Sequence, residues 1–249
     1  MAEMKGVLLS GAPKAQLVDI THRVPPFQFK AAAWILASVY QTFPAGTVHL
    51  AIVDPGVGGV RRAIILKAAE QWFVGPDNGL FSLIIRDHPQ YQAYEIKMIS
   101  EHTSRTFQGR DLFAPMAAYL ASKGVPGRRV KPLTEIRKFK ENKCKKDAWG
   151  QWRGQIVAVD HFGNAITNLP AALTTAMRHP CLQAAGQRIT CFRRTYSEGA
   201  RSQAMVVIGS QGYLEIAVPE ASAAKIMHLH PGLAICLKDE KSGQGKARK

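Results

Sequence analysis

The sequence predicts an α/β chain in two parts: an N-terminal α/β layered domain with a mainly parallel sheet, then a smaller C-terminal antiparallel β domain. Three observations carry this. Through residue 122, short apolar runs alternate with helical patterns, as expected where strands are covered by helices. The run Thr47-Val48-His49-Leu50-Ala51-Ile52-Val53 is apolar and β-branched, the mark of a strand buried on both faces. Beyond residue 154 short strand-like runs are separated by turns with few convincing helices, which reads as antiparallel β. The texture changes near 146–152, giving domains 1–146 and 147–249.

Taken in order, residues 4–10 fit a helix fragment or a strand, and 15–20 read as a strand. Residues 28–43 form an amphipathic helix with Ala31, Ala32, Ile35, Leu36 and Val39 on one side. After the buried strand at 47–53, two more strands are expected at 63–67 and 71–74, and a helix at 80–87. Residues 111–122 are an alanine-rich helix, stopped by Gly124 and Pro126. In the second part the strands are 154–160, 187–192, 204–209, 212–218 and 233–237. No internal repeat is visible.

Composition excludes several classes. With 249 residues, 46% of them hydrophobic, the chain can bury one large core or two modest ones. No apolar run approaches the roughly 18 residues needed to cross a bilayer. The apolar patch after Lys5 is too short for a secretory leader and meets the polar turn Gly11-Ala12-Pro13-Lys14. Cys144, Cys181, Cys191 and Cys236 have no C-x-x-C spacing, so they read as free thiols of a cytoplasmic protein. His88, His102, His179, His228 and His230 show no ligand spacing, so no metal is expected. His22 and His49 read as structural hydrogen-bonding residues, and Trp72, Trp149 and Trp152 as packing residues.

The net charge of +15 is the one outlier, concentrated in 123–146 and in the tail 238–249. Basic runs can neutralise phosphates. These carry no interleaved aromatic platform and no helix-turn-helix or finger pattern. They read as a solvated linker and a frayed terminus rather than a nucleic-acid site.

Three motifs carry chemistry. Val53-Asp54-Pro55-Gly56-Val57-Gly58 follows a buried strand directly, so Asp54 stands at the ligand edge of an open α/β sheet. No Gly-Lys-Ser/Thr follows, which excludes a phosphate loop. The segment is either a site carboxylate with glycines for close approach, or a tight turn whose Asp satisfies nearby amides. Thr106-Phe107-Gln108-Gly109-Arg110-Asp111 precedes the alanine-rich helix and can cap it, or can present free N–H groups to a polar ligand. Asp160-His161-Phe162-Gly163-Asn164 puts a carboxylate, an aromatic and an amide in one turn. It suits the ammonium of an amino acid, or a plain hairpin.

Together and in this order, the strings at 53–61, 106–115 and 160–168 resemble the S-adenosylmethionine hydrolases, relatives of fluorinase and chlorinase. Segments at 4–10, 18–22, 43–49, 75–80 and 209–217 extend the resemblance over nearly the whole chain. It implies water attack at C5′ of S-adenosylmethionine, giving adenosine and L-methionine, with no cofactor. It also implies a homotrimer whose sites lie between the N-terminal domain of one subunit and the C-terminal domain of the next. Asp54 and Arg61 would be two members of a water-activating triad, with Gln108 where the hydrolases usually have histidine. Phe27 and Phe107 would shape the pocket, and Gly109 stands where fluorinase carries its halide-binding serine. Asp160, Asn164 and Ser210 would hold the methionine end beside Phe162, with Glu215 and the Val218 backbone near adenine.

Two departures bear on activity. Glutamine orients water but does not titrate near neutrality. Gln211 and Pro219 also replace polar residues of some relatives. Family members open with a strand ending in T-D-F-G, whereas Met1 here lies just before the Met4-Lys5-Gly6 segment. A start codon assigned downstream of the true one is the expectation, with a degraded copy as its alternative. A catalytically impaired relative that binds S-adenosylmethionine or adenosine and a basic nucleic-acid-associated protein are the competing functional classes.

Overall fold

The chain divides into two units, Met1–Lys140 and Glu141–Lys249. The computed structural model describes residues 1–97, 104–127 and 130–240. The first unit opens with helices α1 (Ala2–Gly11) and α2 (Phe29–Val39). Next come strands β1 (Val48–Leu50), β2 (Ala63–Ala68) and β3 (Gln71–Pro76), then helix α3 (Ser82–Asp87) and strand β4 (Gln92–Ile96). Helix α4 (Ala114–Lys123) and strand β5 (Val130–Leu133) complete it.

These strands form one sheet in the order β1-β3-β2-β4-β5. The α/β class holds, but the expected predominance of parallel pairing does not. Among the described strands only β1–β3 is parallel, and β2–β3, β2–β4 and β4–β5 are antiparallel. Ala69 and Glu70 make the first of these antiparallel pairs: both adopt left-handed φ (50° and 58°) and turn β2 directly back along β3. Neither is glycine or asparagine, so this hairpin carries no turn signal in the sequence.

Side chains alternate along β2. Ile64 and Leu66 join Leu36, Tyr40, Phe73, Phe81 and Ile84 in one cluster. Ile65 joins Trp72, Val74, Phe113, Met116 and Leu120 in another. The sheet is thus covered on both faces, by α2 and α3 and by α4 respectively. Helix α1 packs on α4 so closely that a Cβ at Gly11 would lie 2.8 Å from the Cβ of Ala118.

Four expectations for this unit change. Residues 15–20 form no strand: no described strand pairs with them, and Leu17, Val18 and Ile20 are exposed. The strand at 47–53 shortens to β1, with Val48 and Leu50 only half-buried, because β1 lies at the edge of the described sheet. The buried face of α2 is Ala31, Ala33 and Leu36 rather than the side that includes Ala32, Ile35 and Val39. Part of the basic stretch is ordered structure, since Lys131 sits on β5. His102, Arg128, Arg129 and the tail beyond Glu240 lie outside the described residues.

In the second unit, β6 (Lys145–Lys146), β7 (Trp152–Val159), β8 (Ala165–Pro170), β9 (Pro180–Ala184), β10 (Gln187–Ile189), β11 (Met205–Ile208) and β12 (Tyr213–Ala217) precede a short helix α5 (Ala223–Ile226) and β13 (Ala234–Asp239). Their order is β10-β9-β13-β7-β8-β12-β11, with β6 beside β7. All these strand pairs are antiparallel, as expected. Ile156, Leu169, Leu182, Leu214, Ile216, Ile235 and Leu237 form the core. Strand β8 was not legible because Thr167 and Asn168 break its apolar pattern. Both are buried and satisfied, Thr167 Oγ1 donating to Leu214 O at 2.7 Å and Asn168 Nδ2 to the Asn142 carbonyl.

Where β1 ends, its chain lies directly on β3. Ala51 N donates to Val74 O (3.0 Å), and a Cβ on Gly75 would sit 2.3 Å from the Ala51 carbonyl oxygen. Backbone cannot yield there as a flexible side chain can. Gly75→Ala is expected to cost about 1–3 kcal/mol or more in urea unfolding, as other overpacking changes do.

Candidate active site

The loop after β1 brings two of the three motifs together. Asp54 and Arg61 face one another with side chains only 6% exposed. Arg61 Nη2 donates to Asp54 Oδ2 at 2.5 Å, and Nε donates to Oδ2 at 2.9 Å and Oδ1 at 3.1 Å. The guanidinium also lies 5.2 Å from the centroid of the Phe113 ring. Gly56 leaves the space this requires, since a Cβ there would stand 3.3 Å from Arg61 Cγ. Such pairing is what lets a carboxylate remain charged away from solvent.

Gln108 closes the cluster: its Oε1 accepts a hydrogen bond from Arg61 Nη2. Arginine is donor-only, so the oxygen of the amide must face it. The Nε2 group is left as the end that can donate elsewhere. The chain then runs through a π-helical turn, Gly109–Phe113, into α4, an irregularity found often at functional sites. The cap is not Thr106. Ser104 Oγ accepts from Phe107 N (3.1 Å) and Thr106 N (3.3 Å), while Asp111 Oδ2 accepts from Ser104 N (3.0 Å). Arg110 pairs with Asp111 at 2.6 Å and with Glu3 at 2.7 Å, and its guanidinium lies over Phe107. Gly109 is buried, and a Cβ there would meet Met4 Sδ at 3.1 Å. Met4 and Phe113 were not singled out in the sequence, although both lie within its motifs.

Phe27 is not joined to this cluster. It is 73% exposed, has φ of 68°, and no ring contact or side-chain hydrogen bond ties it to a described residue. A bulky residue in that region is strained, a cost of order 1–3 kcal/mol.

The second unit holds the other predicted residues. Asp160 organises its turn: Oδ1 accepts from Phe162 N (2.9 Å) and Asn164 N (2.8 Å), and Oδ2 from Asn164 Nδ2 (2.9 Å). Gly163 (φ 91°) allows the turn to lie against Ser222, where a Cβ would fall 2.0 Å from Oγ. Phe162 is left pointing outward and exposed, and Ser210 is exposed in the β11–β12 turn. Val218 is buried and its carbonyl accepts from Ala221 N (3.2 Å). Glu215 accepts a 3.0 Å hydrogen bond from the hydroxyl of Tyr196, a residue that no sequence signal marked. Burial, with the nearby Asp160 charge, raises the Glu215 carboxyl above its ordinary range. Burial and Glu215 push Tyr196 up to about 12. Among the described residues no cluster of His, Cys, Asp and Glu could hold a metal, and no helix is long and apolar enough to cross a membrane.

The model of the SAM hydroxide adenosyltransferase N-terminal domain matches residues 1–130, and that of the C-terminal domain matches 154–236. The chain belongs to this family. It is 34% identical to the (R)-S-adenosyl-L-methionine hydrolase of Thermus thermophilus, over 95% of this chain and 93% of the relative. It is 27% identical to the fluorinase of Nocardia brasiliensis, over 96% and 92% of the two chains. An uncharacterized conserved protein from Thermotoga maritima, solved by crystallography, superposes with a TM-score of 0.85 at 29% identity, covering 95% of this chain and 94% of that one. In this member of the SAM hydroxide adenosyltransferases, the Asp-Arg-Gln cluster belongs wholly to the first unit and the Asp160–Glu215 group wholly to the second.

The raised Glu215 carboxyl has a consequence for stability. A carboxyl whose folded value exceeds its ordinary 4.5 holds its proton more tightly when folded. Its contribution is full below 4.5 and is lost as pH rises through the raised value. Glu215→Gln keeps an acceptor for Tyr196 and should melt above the wild type at neutral pH, with the difference vanishing in acid; thermal melts across pH check this.

Proposed function

We propose that the chain hydrolyses S-adenosylmethionine to adenosine and L-methionine, with Asp54 as the acceptor for the attacking water. The observation that carries this is the buried Asp54–Arg61 pair closed by Gln108. Arg61 makes its two shorter contacts with Oδ2 and only the 3.1 Å contact with Oδ1. Oδ1 is therefore the oxygen with capacity to accept from water. The water oxygen bonds to C5′ as the C5′–S bond breaks, and that electron pair stays on sulfur as the neutral thioether of methionine. The proton passes to Asp54 and then to solvent. A sulfonium is already a good leaving group, so alignment supplies most of the catalysis. Gln108 Nε2 can orient the water, and Arg61 fixes the carboxylate.

A carboxylate at this position disfavours a halide nucleophile. Two like charges about 4 Å apart oppose each other by about 4 kcal/mol at an effective dielectric near 20, and Arg61 offsets only part of this. In this reading Phe27, Phe107 and Gly109 shape the pocket, Asp160, Phe162, Asn164 and Ser210 receive the methionine end, and Glu215 with the Val218 backbone faces adenine. No cofactor takes part. The enzyme acts in the cytoplasm as a homotrimer with each site shared between subunits, a reading that rests on the family resemblance.

Incubation with S-adenosylmethionine followed by chromatography should show adenosine and methionine in equal amounts. Asp54→Asn should lower kcat by about 10²–10⁴-fold. Intact substrate, with Asp54→Asn indistinguishable from wild type, would exclude hydrolysis. Binding of S-adenosylmethionine without turnover would favour a nonhydrolytic binder, the reading that the untitratable Gln108 supports. Gln108→His should raise kcat and add a pH limb near the ordinary imidazole value of about 6.5.

The shared site has its own test. Asp54→Asn and Asp160→Asn chains, each impaired alone, should regain about a quarter of wild-type activity when co-refolded in equal amounts, because random closed rings then pair intact halves at about that frequency. No recovery would count against sites shared between subunits.

A further inference from the structure

The loop that carries Asp54 and Arg61 has little apolar anchorage of its own, and Val57 and Val60 are exposed. Its two ends are held by consecutive residues, Asp77 and Asn78, just past the end of β3. Asn78 Nδ2 donates to Val53 O at 2.8 Å. That oxygen belongs to the peptide unit whose other end is Asp54, and a planar peptide held at its carbonyl fixes the direction in which the Asp54 Cα leaves it. At the far end, Asp77 is 1% exposed and accepts from Arg62 Nε (2.8 Å) and Nη2 (2.5 Å). Its amide donates to Arg62 O (2.9 Å), and its Oδ1 accepts from Arg137 N (2.7 Å). The residue before Asp54 and the residue after Arg61 are therefore tied to one dipeptide.

The Asn78 contact is more than turn chemistry. Its Oδ1 accepts from Leu80 N (3.1 Å), and that bond alone makes the Asx turn leading toward α3. The turn makes no use of Nδ2, which reaches instead to the loop bearing Asp54. We propose that Asn78 is a positioning residue for the Asp54 carboxylate, with Asp77 holding the Arg61 side of the same pair. Asn78 acts through the Val53–Asp54 peptide and Asp77 through Arg62. The proposal rests on the reading of Asp54 as water acceptor and deepens it.

Asn78→Asp keeps the acceptor for Leu80 N, removes the donor and sets a carboxylate oxygen against the Val53 carbonyl. Asn78→Ser withdraws the amide donor from the Val53 carbonyl without adding charge, leaving only a shorter hydroxyl side chain. For both variants the expected result is a fall in kcat of about 10–100-fold, the scale of a small misplacement at a reacting centre, with KM within about twofold of wild type. A role confined to stability would lower the melting temperature and leave kcat per folded chain unchanged, and that outcome overturns the proposal. In an Asp54→Asn background Asn78→Ser should have no further effect on kcat; equal losses in both backgrounds would show independent action and also overturn it. Hydrogen–deuterium exchange supplies a readout free of turnover. Amides 54–61 should exchange faster in Asn78→Ser while β2 and β3 keep their protection, and unchanged loop exchange is an overturning result. Should the wild-type chain release no adenosine, hydrolysis falls on its own evidence and the exchange comparison still decides whether Asn78 holds the loop.

Discussion

A carboxylate can lie beneath the surface of this protein only because a guanidinium stands against it. Taking each ion out of water costs several kcal/mol, and removing one partner of such a pair typically destabilises by about 3–5 kcal/mol. The surrounding sequence is organised by that requirement. Gly56 keeps clear of Arg61 Cγ, the Phe113 ring lies under the guanidinium, and Gln108 takes a remaining donor. Residues 56 and 58 are glycine for different reasons. The first yields space to a side chain, whereas Gly58 has φ of 76° and approaches the Arg105 carbonyl, where a Cβ would lie at 2.6 Å.

A glutamine at position 108 sets what this cluster can do. An imidazole can exchange a proton near neutrality, whereas an amide offers one acceptor and two donor hydrogens and keeps them at any physiological pH. Because the Gln108 oxygen is committed to Arg61, the amide contributes orientation alone. In the proposed mechanism proton acceptance then rests on Asp54, whose Oδ1 is the less occupied oxygen. A reaction with a cationic leaving group is the kind in which this economy is chemically tolerable, since little charge must be generated on the substrate.

The sequence was legible where local chemistry and burial agree. The runs that became β2, β3, β7 and β12 were read as strands because their apolar residues face covered surfaces, and Asp54, Arg61 and Gln108 do meet. It misled where tertiary context overrides composition. Ala69 and Glu70 make a tight reversal with no turn residue, which sets β2 antiparallel to β3 where parallel pairing was expected. Thr167 and Asn168 are polar yet buried, so β8 was missed, while Leu17, Val18 and Ile20 are apolar yet exposed and gained no strand partner. Tyr196 lies far from Glu215 in sequence, and only the folded second unit brings its hydroxyl to that carboxyl. The donor and the acceptor of the Asn78 amide were likewise hidden inside a segment that reads as a turn.

The π-helical turn at Gly109–Phe113 sets a limit on how this segment can vary in length. It accommodates more chain per turn than the α-helix it leads into. Loss of a single residue there would let the turn close into the α-helix it leads into, with little change in the direction of the chain upstream. A deletion within α4 has no wide turn to absorb it, and would swing Gln108 by about 100° and shift it by about 1.5 Å, away from Arg61, although every side chain of the cluster was still encoded. Length changes are therefore better absorbed in these five positions than in the helix that follows.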